Sequence, residues 1–477
     1  MSILSQLGDT PVWRVRRAVL AENEYRRYDA VLQIINDKSS APFAGLFNAV
    51  AKKRGHDKGL PPLTLEDGTA IVRLLWSEQD SVFEQLECLR KLLTPLLAKS
   101  VAVDIRVMSA AYSAIYATLI AASDLPGDKG KCRRLMFAGC AQQTANIAVV
   151  AAAANTLARG LCRLPPNVLT VPAFARSAIT LARRHGVRTQ LIDHKKLKTL
   201  KAGAILAVGR ASVAPPCVVR LSYTVKNAPR VALVGKGVCY DSGGVNVKPA
   251  RYMRGMKGDM AGAAVALAAV LAAAQNRLPV SVEAFLVLAD NGIGPAAYCP
   301  DEVVTAMNGK RIEIVHSDAE GRMLLADTLT LATRVKPAFD AVVSFATLTG
   351  TMVTALGTRM SGAFAVDDGW RQRAVEAATA SGERLCVFPL PTDYKDKLKS
   401  NIADIKQCAE EGDADHILAA LFLREFIEGT PPWLHLDLSA SSCKGGLGAA
   451  PGPETGFGAA WTFELLRQLA NKKSKAL

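Results

Sequence analysis

At 477 residues the chain exceeds one ordinary domain, and with 50% hydrophobic and 21% charged residues it has the composition of a globular protein with large cores. A formal charge of +15 and a pI of about 9.4 admit two readings: a nucleic-acid or acidic-surface partner, or a solvated basic surface around a site that counts as negative until metals bind. No zinc-finger spacing, aromatic RNA-binding signature or long Lys/Arg block supports the first, and the largest basic cluster is NKKSK at the C-terminus.

The apolar runs MAGAAVALAAVLAAA (260–274) and IAVVAAAANTLA (147–158) are shorter than the roughly 20 residues a membrane span needs, so buried helices are expected and no membrane partner. Ten cysteines without CxxC pairs, and no signal-peptide pattern, point to reduced thiols in a cytoplasmic compartment. Arg14, Arg16 and Arg17 near the start keep the mitochondrial matrix as an alternative, although acids soon follow.

In chain order, the first 150 residues alternate strand-like runs (DAVLQII, TAIVRLLW, VAVDIRV, RLMFAG) with helical stretches at 81–99 and 109–121. This predicts an N-terminal α/β domain over 1–150 with a largely parallel sheet, serving assembly or access and carrying no catalytic cluster. A long helix from about 141 to 161 leads to CRLPPNVLTVP, whose three prolines break the pattern and mark the junction. Over 151–477 the alternation resumes: RVALVGKG as a buried strand, 260–275 as a helix, VSVEAFLVLAD and RIEIV as strands, and 319–335 as a helix. AFDAVVSFATL is then a central strand, DHILAALFLREFIEG an amphipathic helix, WLHLDL the last strand and 458–471 the closing helix. The fold class expected is two α/β domains, each a mixed, largely parallel sheet flanked by helices, with the site at strand carboxyl ends of the second.

Three charged stretches sit at those ends. VGKGVCYDSGGVNVKP carries Lys236, Asp241 and Lys248; MKGDMAG carries Asp259; HSDAEGR carries Asp318, Glu320 and Arg322. Taken singly, an Asp at a helix start is usually an N-cap and a strand-end lysine is usually solvated. Taken jointly, four carboxylates in one cleft repel or protonate unless cations neutralise them. Two divalent cations cancel the four negative charges, and a lysine can join them as a ligand once its ammonium has lost its proton. An oxygen and nitrogen set without His or Cys suits zinc, manganese, cobalt or magnesium. Asp241 and Glu320 would bridge two ions about 3.5–4 Å apart, the separation at which a shared water becomes a strong nucleophile.

These motifs resemble the leucyl (cytosol) aminopeptidase family of two-metal peptidases. HSDAEGR stands for the family's NTDAEGR, KGVCYDSGGVNVK for KGxxxDxGG with a following lysine, and MKGDM for MKxDM; ATLTG (346–350) and LKSNIADIK (398–406) also match. The resemblance spans about 155–470, and the N-terminal third shares only size and α/β character. It implies a metalloexopeptidase that removes the N-terminal residue of peptides through a metal-bridging water. Lys236, Asp241, Asp259 and Glu320 would hold the tighter metal, and Asp241, Asp318 and Glu320 the more exchangeable one. Lys248 would stabilise the oxyanion, and Arg322 would hold a bicarbonate acting as base.

By position, Met256, Thr347, Leu348, Gly350, Ser439 and Ser442 would line the pocket for the first side chain. HLDLSASS replaces the commoner HxDIAG, similar to the peptidase B branch, so the two serines either make that pocket polar or merely satisfy local backbone. His316 and Ser317 replace Asn-Thr, and a packing or supporting role is expected for His316. The resemblance implies a homohexamer of two stacked trimers. A family-like hexamer with a non-catalytic DNA-binding or assembly role is the alternative, and it would predict eroded metal ligands, which are intact here.

Overall fold

The computed structural model describes residues 11–36, 63–130 and 132–472, together with Ile3, Leu7, Pro42 and Phe43. The lysines of the C-terminal NKKSK run from residue 473 onward lie outside the described residues.

Six strands form the N-terminal sheet: β1 (Val12–Arg16), β2 (Ala30–Ile35), β3 (Leu63–Thr64), β4 (Ala70–Leu75), β5 (Ser100–Ile105) and β6 (Arg134–Ala138), in the order β1-β6-β5-β2-β4-β3. All pairs are parallel except β3 with β4. Every residue of β2 and β5 is buried, as expected for central parallel strands covered on both faces. The helix Val82–Leu96 begins with a capping box, Ser81 accepting from the Glu84 amide while the Glu84 carboxylate accepts from the Ser81 amide.

The helix Gln142–Arg163 carries the chain into the second half, and residue 150, the expected boundary, falls inside it. This helix is long and apolar enough to cross a membrane, yet 72% of its most apolar stretch is covered by protein. Its core cluster runs without a break from the N-terminal sheet into the second.

The second half adds β7 (Arg188–Ile192), β8 (Cys217–Tyr223), β9 (Arg230–Asp241), β10 (Ser281–Asn291), β11 (Val303–Thr305), β12 (Arg311–Glu313), β13 (Ala341–Ala346), β14 (Ser361–Ala365), β15 (Leu385–Phe388), β16 (Ile405–Lys406) and β17 (Trp433–Asp437). Eight of them form one sheet in the order β15-β14-β17-β13-β9-β10-β8-β7. Its centre, β17-β13-β9-β10, is parallel, whereas β14 runs against β17 and β8 against β10. The helix Ala261–Gln275 lies on this centre, with Ala261 to Ala273 all buried. Its small residues allow that approach, since a Cβ on Gly262 would collide with the Phe345 carbonyl.

One predicted strand is placed differently. RIEIV does not join the main sheet: β12 pairs with β11 and β16 in a separate three-stranded sheet. HSDAEGR is therefore delivered to the site from beside the main sheet, by the start of the helix Glu320–Thr333. None of the ten cysteines forms a disulfide, and burial pushes the Cys239 thiol well above its ordinary value.

Candidate metal centre

The four central parallel strands end at one edge of the sheet, and their registers set Asp241 opposite Asn291 and Asp437 opposite Ala346. Lys236 points from β9 into this edge, 2% exposed, where its Nζ lies 2.8 Å from Asp259 Oδ1, 2.7 Å from Glu320 Oε1 and 2.8 Å from the Thr347 carbonyl. Lys248 Nζ lies 2.8 Å from Asp241 Oδ2 and 2.5 Å from Asp318 Oδ1. Each lysine thus separates two carboxylates. Oxygens of Asp241, Asp259 and Glu320 come within 4.8 Å of one another, and all three residues are buried.

Neither Asp259 nor Asp318 is an N-cap: the caps of the following helices are Met260 and Ala319, and neither makes a side-chain capping bond. That removes the structural explanation available to each residue alone.

The electrostatics of the cluster are one-sided. Burial pushes the Asp259, Glu320 and Asp318 carboxyls above the ordinary carboxylate range, and neighbouring carboxylates push them further, against the pull of the lysines. Burial opposes the charge on Lys236, but Asp259, Glu320 and Asp241 together hold its ammonium above the ordinary value. Acids and amines alike therefore hold protons more tightly than usual, which is the signature of a site short of positive charge. Asp259 Oδ2 is buried and has no hydrogen-bond partner among the described residues. An unpaired carboxylate oxygen beside three more carboxylates fits divalent cations.

Two glycines are required by this geometry. Gly243 has φ +90° and turns the chain after Asp241, where its own amide donates to Asp241 Oδ1 at 2.9 Å. Gly321 lies against Lys236: a Cβ there would stand 2.8 Å from both Cε and Nζ.

Of the residues expected to line a substrate pocket, Thr347 donates to Asp259 Oδ1 at 2.6 Å and the Leu348 amide donates to Asp437 Oδ1 at 3.0 Å. Gly350 opens the helix Gly350–Leu356, and Met256 lies in the short turn just before Asp259. The Ser439 hydroxyl donates to the Met360 carbonyl at 2.8 Å, so it serves local backbone, while Ser442 is exposed.

Several supporting residues escape sequence reasoning. Asn291 Nδ2 donates to Asp241 Oδ1 at 2.8 Å and to the Ser317 carbonyl at 3.1 Å, and Tyr298 donates to the same carbonyl at 2.6 Å. The Ser317 hydroxyl donates to the Gly243 carbonyl at 2.6 Å and accepts from the Asn246 amide at 2.8 Å, tying the two ligand loops together. Gln407 accepts from the Val315 and His316 amides and donates to the Ala319 carbonyl. Asp437, 2% exposed, holds Thr349 Oγ1 at 2.6 Å, and burial lifts its carboxyl to about 6. The only signal for it is an acid ending a buried strand that is apolar but for His435.

Arg322 is the departure. It is 2% exposed and its Nη2 holds Asp415, at 2.8 Å to Oδ1 and 2.7 Å to Oδ2, while Nη1 donates to the Gln407 carbonyl at 3.2 Å. The sequence predicts Arg322 facing the metal cavity, but the guanidinium is engaged by a carboxylate 93 residues away. No local pattern marks that pairing.

Fold and cluster together define a two-part α/β protein with a carboxylate cluster able to hold divalent cations at the strand ends of its second sheet. Residues 156–462 match the family model described as the cytosol aminopeptidase family, catalytic domain. A probable cytosol aminopeptidase of Chlorobaculum parvum is 38% identical over 342 residues, which is 70% of this chain and 67% of that protein. One of Streptomyces avermitilis is 44% identical over 59% of this chain and 55% of its own length. Among solved structures, the bottromycin maturation enzyme BotP in complex with Mn superposes with a TM-score of 0.85 at 30% identity, covering 93% of this chain and 100% of that one. The cytosol aminopeptidase of Coxiella burnetii gives 0.82 at 26% identity, covering 96% and 99%. The chain belongs to the cytosol aminopeptidase family, and with it to the peptide hydrolases.

Proposed function

We propose that this chain is a metal-dependent aminopeptidase that hydrolyses the N-terminal residue from peptides. The observation that carries this reading is the set of four carboxylates, three of them buried, parted by two lysines and still short of positive charge. By resemblance, Lys236, Asp241, Asp259 and Glu320 would hold one ion, and Asp241, Asp318 and Glu320 the other, with manganese or zinc the leading candidates. When bound, the two ions supply the missing positive charge and activate a water toward the scissile carbonyl. Lys236 must surrender a proton to become a ligand, since its ammonium is now bonded to two carboxylates.

Lys248, whose stem is largely buried, keeps its ammonium at the cluster, where it can stabilise the oxyanion that forms as the carbonyl is attacked. By resemblance, the substrate's free α-amine would bind a metal and Asp259, which confines cleavage to the first residue. The resemblance seats a bicarbonate on Arg322 as base, but Asp415 already stands on that guanidinium, and no step is assigned to the ion.

The family resemblance supports a cytoplasmic location and a homohexamer as parts of the same proposal. The curated relatives named above are bacterial, and nothing in them supports a mitochondrial location or a DNA-binding role. The test is dialysis against a strong chelator, followed by readdition of manganese, zinc, cobalt or magnesium to a panel of aminoacyl reporter substrates. Turnover should vanish and return with the metal, and activity persisting after verified metal removal would sink the reading.

A further inference from the structure

Arg322 is a buried cation whose surroundings supply its anion from within the chain. Both oxygens of Asp415 sit on Nη2, Nη1 donates to the Gln407 carbonyl, Nε is buried without a hydrogen-bond partner among the described residues, and the side chain is walled off from solvent at 2% exposure. A buried arginine needs a counter-charge, and a carboxylate on its guanidinium provides it through charge-assisted hydrogen bonds, which are stronger than neutral ones.

The chain invests structure in delivering that carboxylate. Asp415 is the first residue of the helix Asp415–Arg424, where the helix dipole favours a negative charge. The preceding Ala414 adopts φ 53°, a left-handed conformation unfavourable for an alanine. The following His416 is pinned by Thr351, whose hydroxyl accepts from the His416 amide at 2.9 Å and lies 3.1 Å from Nδ1. Asp415 is therefore held from both sides, and its side chain remains 25% exposed.

The pair also borders the reaction centre. Arg322 lies on the same helix as Glu320 and feels its charge, and His316 feels Asp415, Arg322 and Lys248 together. Gln407 closes the circuit by binding both Arg322 and the backbone of the HSDAEGR loop.

We propose that Asp415 is the resident anion of Arg322, standing where an exogenous bicarbonate would otherwise be recruited, so that this chain neither binds nor needs bicarbonate. Asp415 is on this account a positioning residue, which neutralises Arg322 and fixes it beside the metal ligands. The inference rests on the peptidase reading of the cluster, and it departs from the bicarbonate that the family resemblance implies.

The test compares wild type with Asp415→Ala and Asp415→Asn, all metal-loaded, in carbonate-free buffer and with bicarbonate added to saturation. Binding is read separately, as the line width of isotope-labelled bicarbonate in NMR with the zinc-loaded protein. Wild type should show no broadening, and kcat/KM should change by less than about twofold on adding bicarbonate. Asp415→Ala should lose about tenfold or more in carbonate-free buffer, as expected for one charge-assisted bond, and recover most of it with bicarbonate, now with broadening. Asp415→Asn keeps the volume without the charge and serves if the alanine variant does not fold. It should lose activity by a similar factor.

Bicarbonate binding to wild type, activation of wild type, or an asparagine variant of full activity would each overturn the proposal. So would an alanine variant that folds yet neither binds nor responds to bicarbonate. A wild type that cleaves no N-terminal residue with any metal would defeat the peptidase reading instead, and the NMR arm would still report on the anion seat.

Discussion

Gly321→Ala tests whether Lys236 is clamped by the motif that supplies Glu320. The added Cβ would stand 2.8 Å from Cε and Nζ of Lys236 and 2.9 Å from Leu348 Cδ1, where ordinary contact begins at 3.4 Å. The lysine tip must retreat by roughly half an ångström or more, because close-packed neighbours leave no slack. It is held, however, at 2.8 Å from Asp259, 2.7 Å from Glu320 and 2.8 Å from the Thr347 carbonyl. A retreat of that size stretches at least one of these past the length of a good hydrogen bond, about 3.2 Å. One lost charge-assisted bond is worth about 1.5–3 kcal/mol, and the better helix propensity of alanine returns at most about 1 kcal/mol. A net destabilisation of about 1–2 kcal/mol is expected in denaturant unfolding. Since misplacing a group by about 1 Å costs about a hundredfold, a shift of half an ångström or more should lower kcat/KM by about tenfold or more with metal in excess. Wild-type kcat/KM on an aminoacyl reporter would show that Gly321 leaves Lys236 room, and that the clamp does not exist.

Loading the metal-free protein near neutral pH should release at least one proton per subunit, because Lys236 and the raised carboxyls hold protons that ligation expels; calorimetry in buffers of different ionisation enthalpy counts them, and a count of zero refutes the assignment of Lys236. Burial lifts the Glu383 carboxyl to about 7 from an ordinary 4.5, so the stability it contributes is full below pH 4.5 and is lost as pH rises through 7. Glu383→Gln should flatten the stability profile over that window by about 3 kcal/mol, and parallel profiles for the two proteins would disprove it. Replacing Ser439 and Ser442 by alanine should change the preference between leucine and polar first residues by less than about threefold, since the Ser439 hydroxyl is committed to the Met360 carbonyl; a larger shift in the kcat/KM ratio would place the serines against substrate.

The sequence by itself determined the two α/β halves, the strands β9, β10, β13 and β17, and the four carboxylates and two lysines of the centre. Those follow from short-range information: apolar runs set strands, small residues set the close-packed helix Ala261–Gln275, and each ligand sits within a few residues of a strand end or helix start. Tertiary structure alone decided the rest. It moved β12 out of the main sheet, because pairing partners are chosen by the space left among packed elements and not by the strand's own pattern. It brought Asn291, Tyr298, Gln407 and Asp437 behind the ligands, where buried carbonyls, amides and hydroxyls demand partners from wherever the chain happens to pass. It set Asp415 on Arg322, a pairing of charges 93 residues apart that exists only because two helices start against the same edge. Periodicity records which face of an element is buried, and it carries no record of what that face will meet.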